Sequence, residues 1–354
     1  MSHDLFTEIR NDCLLASARQ VEIRTALGFQ HIAITGGTGF LGTWITETIA
    51  ALNDEYSLGI TLDLYARNTK DWSKKYPHLA NRHDVHVKSQ DVRSPFTFNR
   101  NTNFVIHAAG IPNNRVHASD PLRVQQTTVT GINNALEAAS QLDNLKRFLN
   151  ISSCLVSGAS NRLGALKESD YFPIPAGQLH TVYAESKRAA ESLVSIYRSQ
   201  FRMPISTIRP FTFSGAYQEL DRPWAINNFI RDMLSNGEIR MHGDGTARRS
   251  YMYGSDAAWW TLAALVKGDN GVIYNLGSEK PVSHLDLVTL IVGQAAFKPR
   301  ILLNTLAPKE TKFDDLYPDI SFTKKSLDVT QTCTLEQTIE KTYRWFSVFR
   351  GSNN

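Results

Sequence analysis

The chain has 354 residues, 42% hydrophobic and 20% charged, a globular balance long enough for one large α/β unit with an added lobe, or for two domains. Its net charge of +4 comes from scattered basic residues, densest at Arg248-Arg249 and Lys324-Lys325, which excludes a nucleic-acid-binding stripe and suits a small anionic ligand. No stretch approaches the roughly 18 apolar residues of a membrane helix, there is no signal-peptide layout, and Cys13, Cys154 and Cys333 lie too far apart for a zinc site or disulfide framework, so a cytoplasmic protein with no membrane partner and no metal is expected.

Leu5, Phe6, Ile9, Cys13, Leu14 and Ala18 recur at helical spacing, predicting an amphipathic helix over 5–24 that packs on the following fold or on a partner subunit. From residue 31 onward, β-rich runs alternate with helical ones. Strands are predicted at His31–Thr35, Gly59–Ala66, Val85–Lys88, Phe104–Ala108, Arg147–Ser152, Ile205–Arg209 and Gly271–Asn275, with helices at 43–53, 122–141 and 183–202. This alternation predicts an α/β fold with a doubly wound parallel sheet, the Rossmann arrangement, whose strand C-termini share one ligand-binding edge. Past Pro210 aromatics and turn formers crowd 211–260, and helices are predicted at 283–297 and 335–349. The expected organisation is a helical extension (1–29), a dinucleotide-binding domain (30–214) and a smaller C-terminal α/β substrate lobe (215–354). The lobe interleaves with the last sheet strands near 250–277.

Thr35-Gly36-Gly37-Thr38-Gly39-Phe40-Leu41-Gly42 follows the first strand and opens a helix. In a dinucleotide-binding turn one glycine permits the bend, a second lets the backbone approach a pyrophosphate, and a third lets helix meet strand. The helix start then offers unpaired N–H groups to the phosphates. An NAD-binding acid is expected about 20 residues past the glycines. Asp63 fits by count, but Leu62, Leu64 and Ala66 continue the strand around it. The strand end is then Ala66-Arg67-Asn68, where Arg67 can pair with a 2′-phosphate, so of the two NAD(P) forms NADP is slightly favoured.

Tyr183-Ala184-Glu185-Ser186-Lys187 puts a tyrosine and a lysine on one helix face, and no other tyrosine here has a lysine four residues on. A phenol with an ordinary pKa of about 10 is a poor base near neutrality, and a neighbouring ammonium favours its ionised form. Upstream, Asn150-Ile151-Ser152-Ser153-Cys154-Leu155-Val156-Ser157-Gly158 ends a predicted strand with hydroxyls that can share this proton traffic.

At this point the chain resembles the extended short-chain dehydrogenase/reductase superfamily, in particular the NAD(P)-dependent epimerase/dehydratase group acting on nucleotide sugars. The resemblance spans roughly residues 30 to 280. It rests on an ordered set: the glycine turn, Asp91-Val92, His107-Ala108-Ala109-Gly110, Ser152-Ser153, Tyr183-x-x-x-Lys187, Arg209-Pro210, Gly243-Asp244-Gly245 with Arg249, and Tyr274-Asn275-Leu276-Gly277. It implies that Gly36, Gly39 and Gly42 form the pyrophosphate turn with Phe40 and Leu41 beside the cofactor. Asp91 would bond the adenine and Val92 flank it, Ala108 and Ala109 would pass under a ribose, and Pro210 would border the nicotinamide. Ser153, Tyr183 and Lys187 would be catalytic, the last two also touching the cofactor. Arg249 would grip the diphosphate of a nucleotide-sugar substrate, with Cys154, Thr212 and Asn228 as further substrate contacts. The resemblance also implies a homodimer joined through the helices at 122–141 and 183–202.

Two departures bear on the reaction. The group's dehydratases carry an Asp-Glu pair after the catalytic hydroxyl and its decarboxylases keep the Glu, where this chain has Cys154-Leu155. Thr128 and Thr212 stand where asparagines are usual. The expected function is therefore oxidoreduction at sugar C4, as an epimerase or a 4-ketoreductase. A 4,6-dehydratase using other acids, such as Glu168 and Asp170 in the following loop, is the second reading. A non-catalytic NAD(P)-binding sensor or scaffold is the third.

Overall fold

The computed structural model describes residues 2–158, 164–235, 237–294, 299–304 and 315–350. Strands β1 (His31–Thr35), β2 (Thr61–Ala66), β3 (Val85–Ser89), β4 (Phe104–His107), β5 (Arg147–Ile151) and β6 (Ile205–Pro210) come first. They are followed by β7 (Phe213–Ser214), β8 (Ile239–His242), β9 (Arg248–Arg249), β10 (Met252–Tyr253), β11 (Ile273–Leu276), β12 (Val282–Ser283), β13 (Ile301–Asn304) and β14 (Asp315–Leu316). Seven of them form one sheet in the order β11-β6-β5-β4-β1-β2-β3, every pair parallel. The order reverses at β1 and β4, and the crevice above that switch point is where such sheets bind ligands.

Alternation along β1 shows why both faces are covered. Ile32 and Ile34 point into one apolar cluster and Ala33 into the other, all fully buried. The first cluster holds the helices Phe40–Tyr56 and Gly254–Lys267, the second Gly131–Ser140 and Val182–Phe201. Trp44, fully buried, sits at the joint with the C-terminal part. Its indole donates to the Ala216 carbonyl at 3.0 Å, and a Cβ on Gly254 would fall 2.1 Å from its ring. The C-terminal part adds the small sheets β12-β9-β14, β10-β7 and β13-β8, with the helices Ala225–Leu234 and His284–Val292.

The predicted N-terminal helix is two helices, Ser2–Ser17 and Val21–Leu27. At the break, the Gln20 amide donates to the Leu327 carbonyl at 2.9 Å and its oxygen accepts from the Trp259 indole. Leu5, Ile9 and Cys13 are buried in the main core, and Lys341 binds Asp12 and Glu8 at 2.9 Å. The extension thus packs on this chain's own core. The helix expected at 122–141 contains a π-helical turn at Gln126–Thr130 between Pro121–Gln125 and Gly131–Ser140, a device common near functional sites. Residues 295–298 of the helix expected at 283–297 lie outside the described residues. No described helix is long and apolar enough to cross a membrane.

Candidate active site

A cleft of about 1600 Å³ opens over the C-terminal ends of β1, β4, β5 and β6, larger than the roughly 300–1,000 Å³ of a single drug-sized site. Gly36 adopts φ +70° and lies so close to the next crossover that a Cβ would meet the Ala108 carbonyl at 2.7 Å. A Cβ on Gly42 would meet the Gly37 carbonyl at 2.3 Å. No side chain caps the helix Phe40–Tyr56 at Gly39, so its first amides are available to an anion. Gly36, Gly39, Phe40, Leu41 and Gly42 all line the cleft. Two buried atoms there, Thr127 Oγ1 and Gln218 Oε1, have no partner among the described residues, and groups of that kind ask for a ligand or water. The cleft therefore fits a dinucleotide. Because the Gly42 clash is with backbone, Gly42→Ala is expected to abolish dinucleotide binding and to destabilise the fold by about 1–3 kcal/mol. Calorimetric titration and thermal melting check this, and unchanged values would show that the turn has another geometry.

At the β2 end of the cleft, Asp63 is wholly buried inside β2, bound to Lys88 at 2.5 Å and His31 at 3.0 Å. Arg67 is exposed at the strand end and lines the cleft, as does Val92. An acid that sequence counting passes over, Asp71, also lines it, in the first turn of the helix Thr69–Lys75. Asp91 is not among the lining residues: Arg93 grips its carboxylate at 2.6 Å and holds it below the usual range. Ala108 and Ala109 line the floor. Beneath them His107, bonded to Thr35 Oγ1 at 2.8 Å, is brought down to about 3 by burial and by the Lys187 charge.

At the other end, β5 delivers Ser152 and Ser153, and a 3₁₀ turn begins at Cys154 with Ser153 Oγ accepting from the Leu155 amide at 3.2 Å. Tyr183 lies in the first turn of the helix Val182–Phe201, its hydroxyl turned toward the Ser153 side chain. Its ring packs with Ile111, Val124, Val116 and Leu155. Lys187, one turn on, is buried. Its Nζ donates to the Ile151 carbonyl at 2.8 Å and sits 6.0 Å from the Tyr183 ring centroid.

The electrostatics differ from the expectation for the Tyr-Lys pair. Burial dominates both groups, raising Tyr183 above its usual range and lowering Lys187 to about 8, with Glu191 opposing the latter shift. Tyr183 is thus held as a neutral phenol, ready to donate, and Lys187 carries its charge only below about pH 8. The sign for stability is opposite to that for activity. In the unfolded chain the lysine stays protonated to about 10.4, so its native-state penalty is relieved as pH rises from about 8 toward that value. We expect kcat/KM to fall through about pH 8 while the Lys187 contribution to stability improves. Activity that climbs through the same range would show that the ammonium form is not the one used.

Cys154 lines the cleft, its thiol pushed up to about 12 by burial despite nearby Arg249, so it remains protonated. Arg209, wholly buried, binds Glu191 through two nitrogens at 3.0 and 2.7 Å, the Glu168 carbonyl at 2.8 Å, and the Tyr171 hydroxyl. Ser152 also donates to Glu191 at 2.5 Å. This cluster ties the ends of β5 and β6 to the helix bearing Tyr183. Glu168 accepts from the Asn275 amide at 2.9 Å, and Asp170 accepts from the Lys167 amide. Neither acid lines the cleft, contrary to the expectation that they approach it.

On the C-terminal side Pro210, Thr212 and Arg249 line the cleft with Tyr251 and His284. His284 is lowered to about 4 by burial and the Arg249 charge. Asn228 does not reach the lining; its side chain accepts from Arg231 at 2.9 Å. Sixteen of the eighteen proposed site residues are brought to one cleft, Asp91 and Asn228 being the two left outside.

The family model described as the NAD dependent epimerase/dehydratase family matches residues 32–277. The chain belongs to this family. Among its relatives is the trifunctional UDP-glucose 4,6-dehydratase/UDP-4-keto-6-deoxy-D-glucose 3,5-epimerase/UDP-4-keto-L-rhamnose-reductase of Arabidopsis thaliana, 23% identical over 90% of this chain and 47% of that protein. UDP-glucuronic acid decarboxylase 1 of the same plant is 27% identical over 84% of this chain and 65% of its own length. The chain thus spans about half to two thirds of these two relatives. The solved UDP-glucuronic acid 4-epimerase of Bacillus cereus, in complex with UDP-glucuronic acid and NAD, superposes with a TM-score of 0.77 at 23% identity, covering 90% of this chain and all of that one. This likeness establishes the fold of the epimerase/dehydratase member described here.

Proposed function

We propose that this protein is a nucleotide-sugar oxidoreductase working at sugar C4, as an epimerase or a 4-ketoreductase. The observation that carries the reading is Ser153, Tyr183 and Lys187 in one cleft with Cys154 and Leu155 beside them. A 4-keto oxygen against Ser153 can take the proton of the neutral Tyr183 phenol, and in the oxidising direction Tyr183 must first ionise so that its phenolate takes the C4 hydroxyl proton. NAD, when bound along the glycine turn, supplies the acceptor and donor of hydride. Its binding set in this reading is Gly36, Gly39, Phe40, Leu41, Gly42, Arg67, Val92, Ala108, Ala109 and Pro210.

NADP gains no support over NAD. The family is NAD dependent, and Asp71 stands beside Arg67 in the lining, where it would repel a 2′-phosphate. Residues 215–354 serve as the substrate lobe, with Arg249 on the diphosphate and Thr212 and Cys154 near the sugar. Elimination of water across C5 and C6 needs a base for the C5 proton. A leucine and a neutral thiol occupy the adjacent positions, and Glu168 and Asp170 are engaged elsewhere.

Incubation with UDP-, dTDP-, GDP- and CDP-sugars and either dinucleotide, followed by NMR, tests this. A sugar inverted or reduced at C4 with C6 intact is expected, and denatured protein is expected to release NAD(H). A 6-deoxy-4-keto product would establish the dehydratase reading instead, and NADP(H) would reinstate the Arg67–phosphate pairing.

A further inference from the structure

The short helix Asn114–Ser119 contributes His117 to the cleft lining. The imidazole stacks face to face on the Tyr183 ring, centroids 4.4 Å apart and planes 16° from parallel. Its Nε2–H donates to the Ile111 carbonyl at 2.6 Å, which leaves Nδ1 without a proton in the neutral ring. Asn113 caps the helix by accepting from the Arg115 amide at 3.0 Å. Arg115 in turn reaches the Asp221 carbonyl at 3.4 Å, between the lining residues Glu219 and Arg222. The apolar cluster that holds Tyr183 adds Ile111 and Val124, with Val116 and Leu155 packed against it, aliphatic groups that exclude water but do not select one ring orientation. A flat ring held at a fixed angle does select one, because stacked rings lose contact when either rotates.

We infer that His117 is a positioning residue for Tyr183: clamped by the Ile111 carbonyl, its imidazole holds the phenol ring in the plane that keeps the hydroxyl on Ser153. The inference rests on the reading of Tyr183 as the acid/base group. It assigns no proton transfer to His117. Burial lowers the imidazole below its ordinary range, so the ring stays uncharged at neutral pH and adds no cation beside Lys187. Reorienting a reacting group by a fraction of an ångström to 1 Å costs up to about a hundredfold in rate, which sets the scale of effect to look for.

The test compares His117→Phe, His117→Leu and His117→Ala. Phe and Leu both lose the bond to Ile111, but only Phe retains a ring to stack. With UDP-glucose and UDP-glucuronic acid as probes, His117→Phe is expected to retain kcat within about threefold, and His117→Leu to lose about tenfold or more with KM little changed. A purely structural role would move Phe and Leu together, and that result would overturn the inference. A second measurement needs no turnover. In protein labelled with ζ-¹³C tyrosine, the Tyr183 resonance is identified by its loss in Tyr183→Phe and titrated by NMR. His117→Ala opens the ring face to water and is expected to lower the Tyr183 pKa by about one unit or more, while His117→Phe leaves it in place. Identical titrations in all variants would overturn the inference whatever the substrate. Turnover that persists in Tyr183→Phe would instead remove the reading of Tyr183 itself.

Discussion

Tyr183→Phe is expected to lower turnover by roughly 10²–10⁴-fold, the usual contribution of a positioned acid/base group, while leaving the fold in place. The ring's neighbours Ile111, Val124 and Leu155 are apolar and keep their contacts. The loss on the folded side is the hydroxyl's polar interaction with Ser153, worth at most about 1 kcal/mol. Rate and stability therefore separate. A variant that melts within a few degrees of the parent and no longer interconverts sugars is the predicted outcome. Ser153→Ala is the companion, since its hydroxyl both contacts Tyr183 and caps the Leu155 amide. Full activity in Tyr183→Phe would remove the mechanism.

The second large effect falls on stability. Arg209→Ala leaves the partly buried Glu191 carboxylate with Ser152 as its remaining donor among the described residues. Removing one partner of such a pair costs about 3–5 kcal/mol. The same change releases the Glu168 carbonyl and the Tyr171 hydroxyl, so the ends of β5 and β6 lose their tie to the helix bearing Tyr183. Replacing both members, as in Arg209→Met with Glu191→Leu, removes the stranded charge and should recover much of the loss. Denaturant melts of the two single variants and the double one form the cycle that measures the coupling. Additive effects would show that the pair is not the stabilising unit the geometry indicates.

What was legible in the sequence follows from how local each feature is. The glycine turn could be read because its chemistry is confined to eight consecutive residues. The Tyr183–Lys187 pair was legible because the helical repeat stacks i on i+4. The parallel sheet was legible because alternating strands and helices admit few topologies. Orientation and burial were not. Spacing put Lys187 beside Tyr183, but the fold sends its ammonium to the Ile151 carbonyl and buries both groups, which reverses the expected direction of the tyrosine's shift. His117, 66 residues ahead of Tyr183, reaches the ring through the crossover after β4, and no local pattern marks it. Glu191 and Arg209 belong to different elements and meet only when β6 docks under the helix. Asn228, expected as a substrate contact, is turned by helical phase toward Arg231.

The most direct test of C4 chemistry without elimination is the reaction run in D₂O on a nucleotide sugar bearing hydrogen at C5. The account predicts a product changed at C4 alone, with the C6 oxygen retained and no solvent deuterium at C5. Deuterium at C5 together with loss of the C6 oxygen would contradict it.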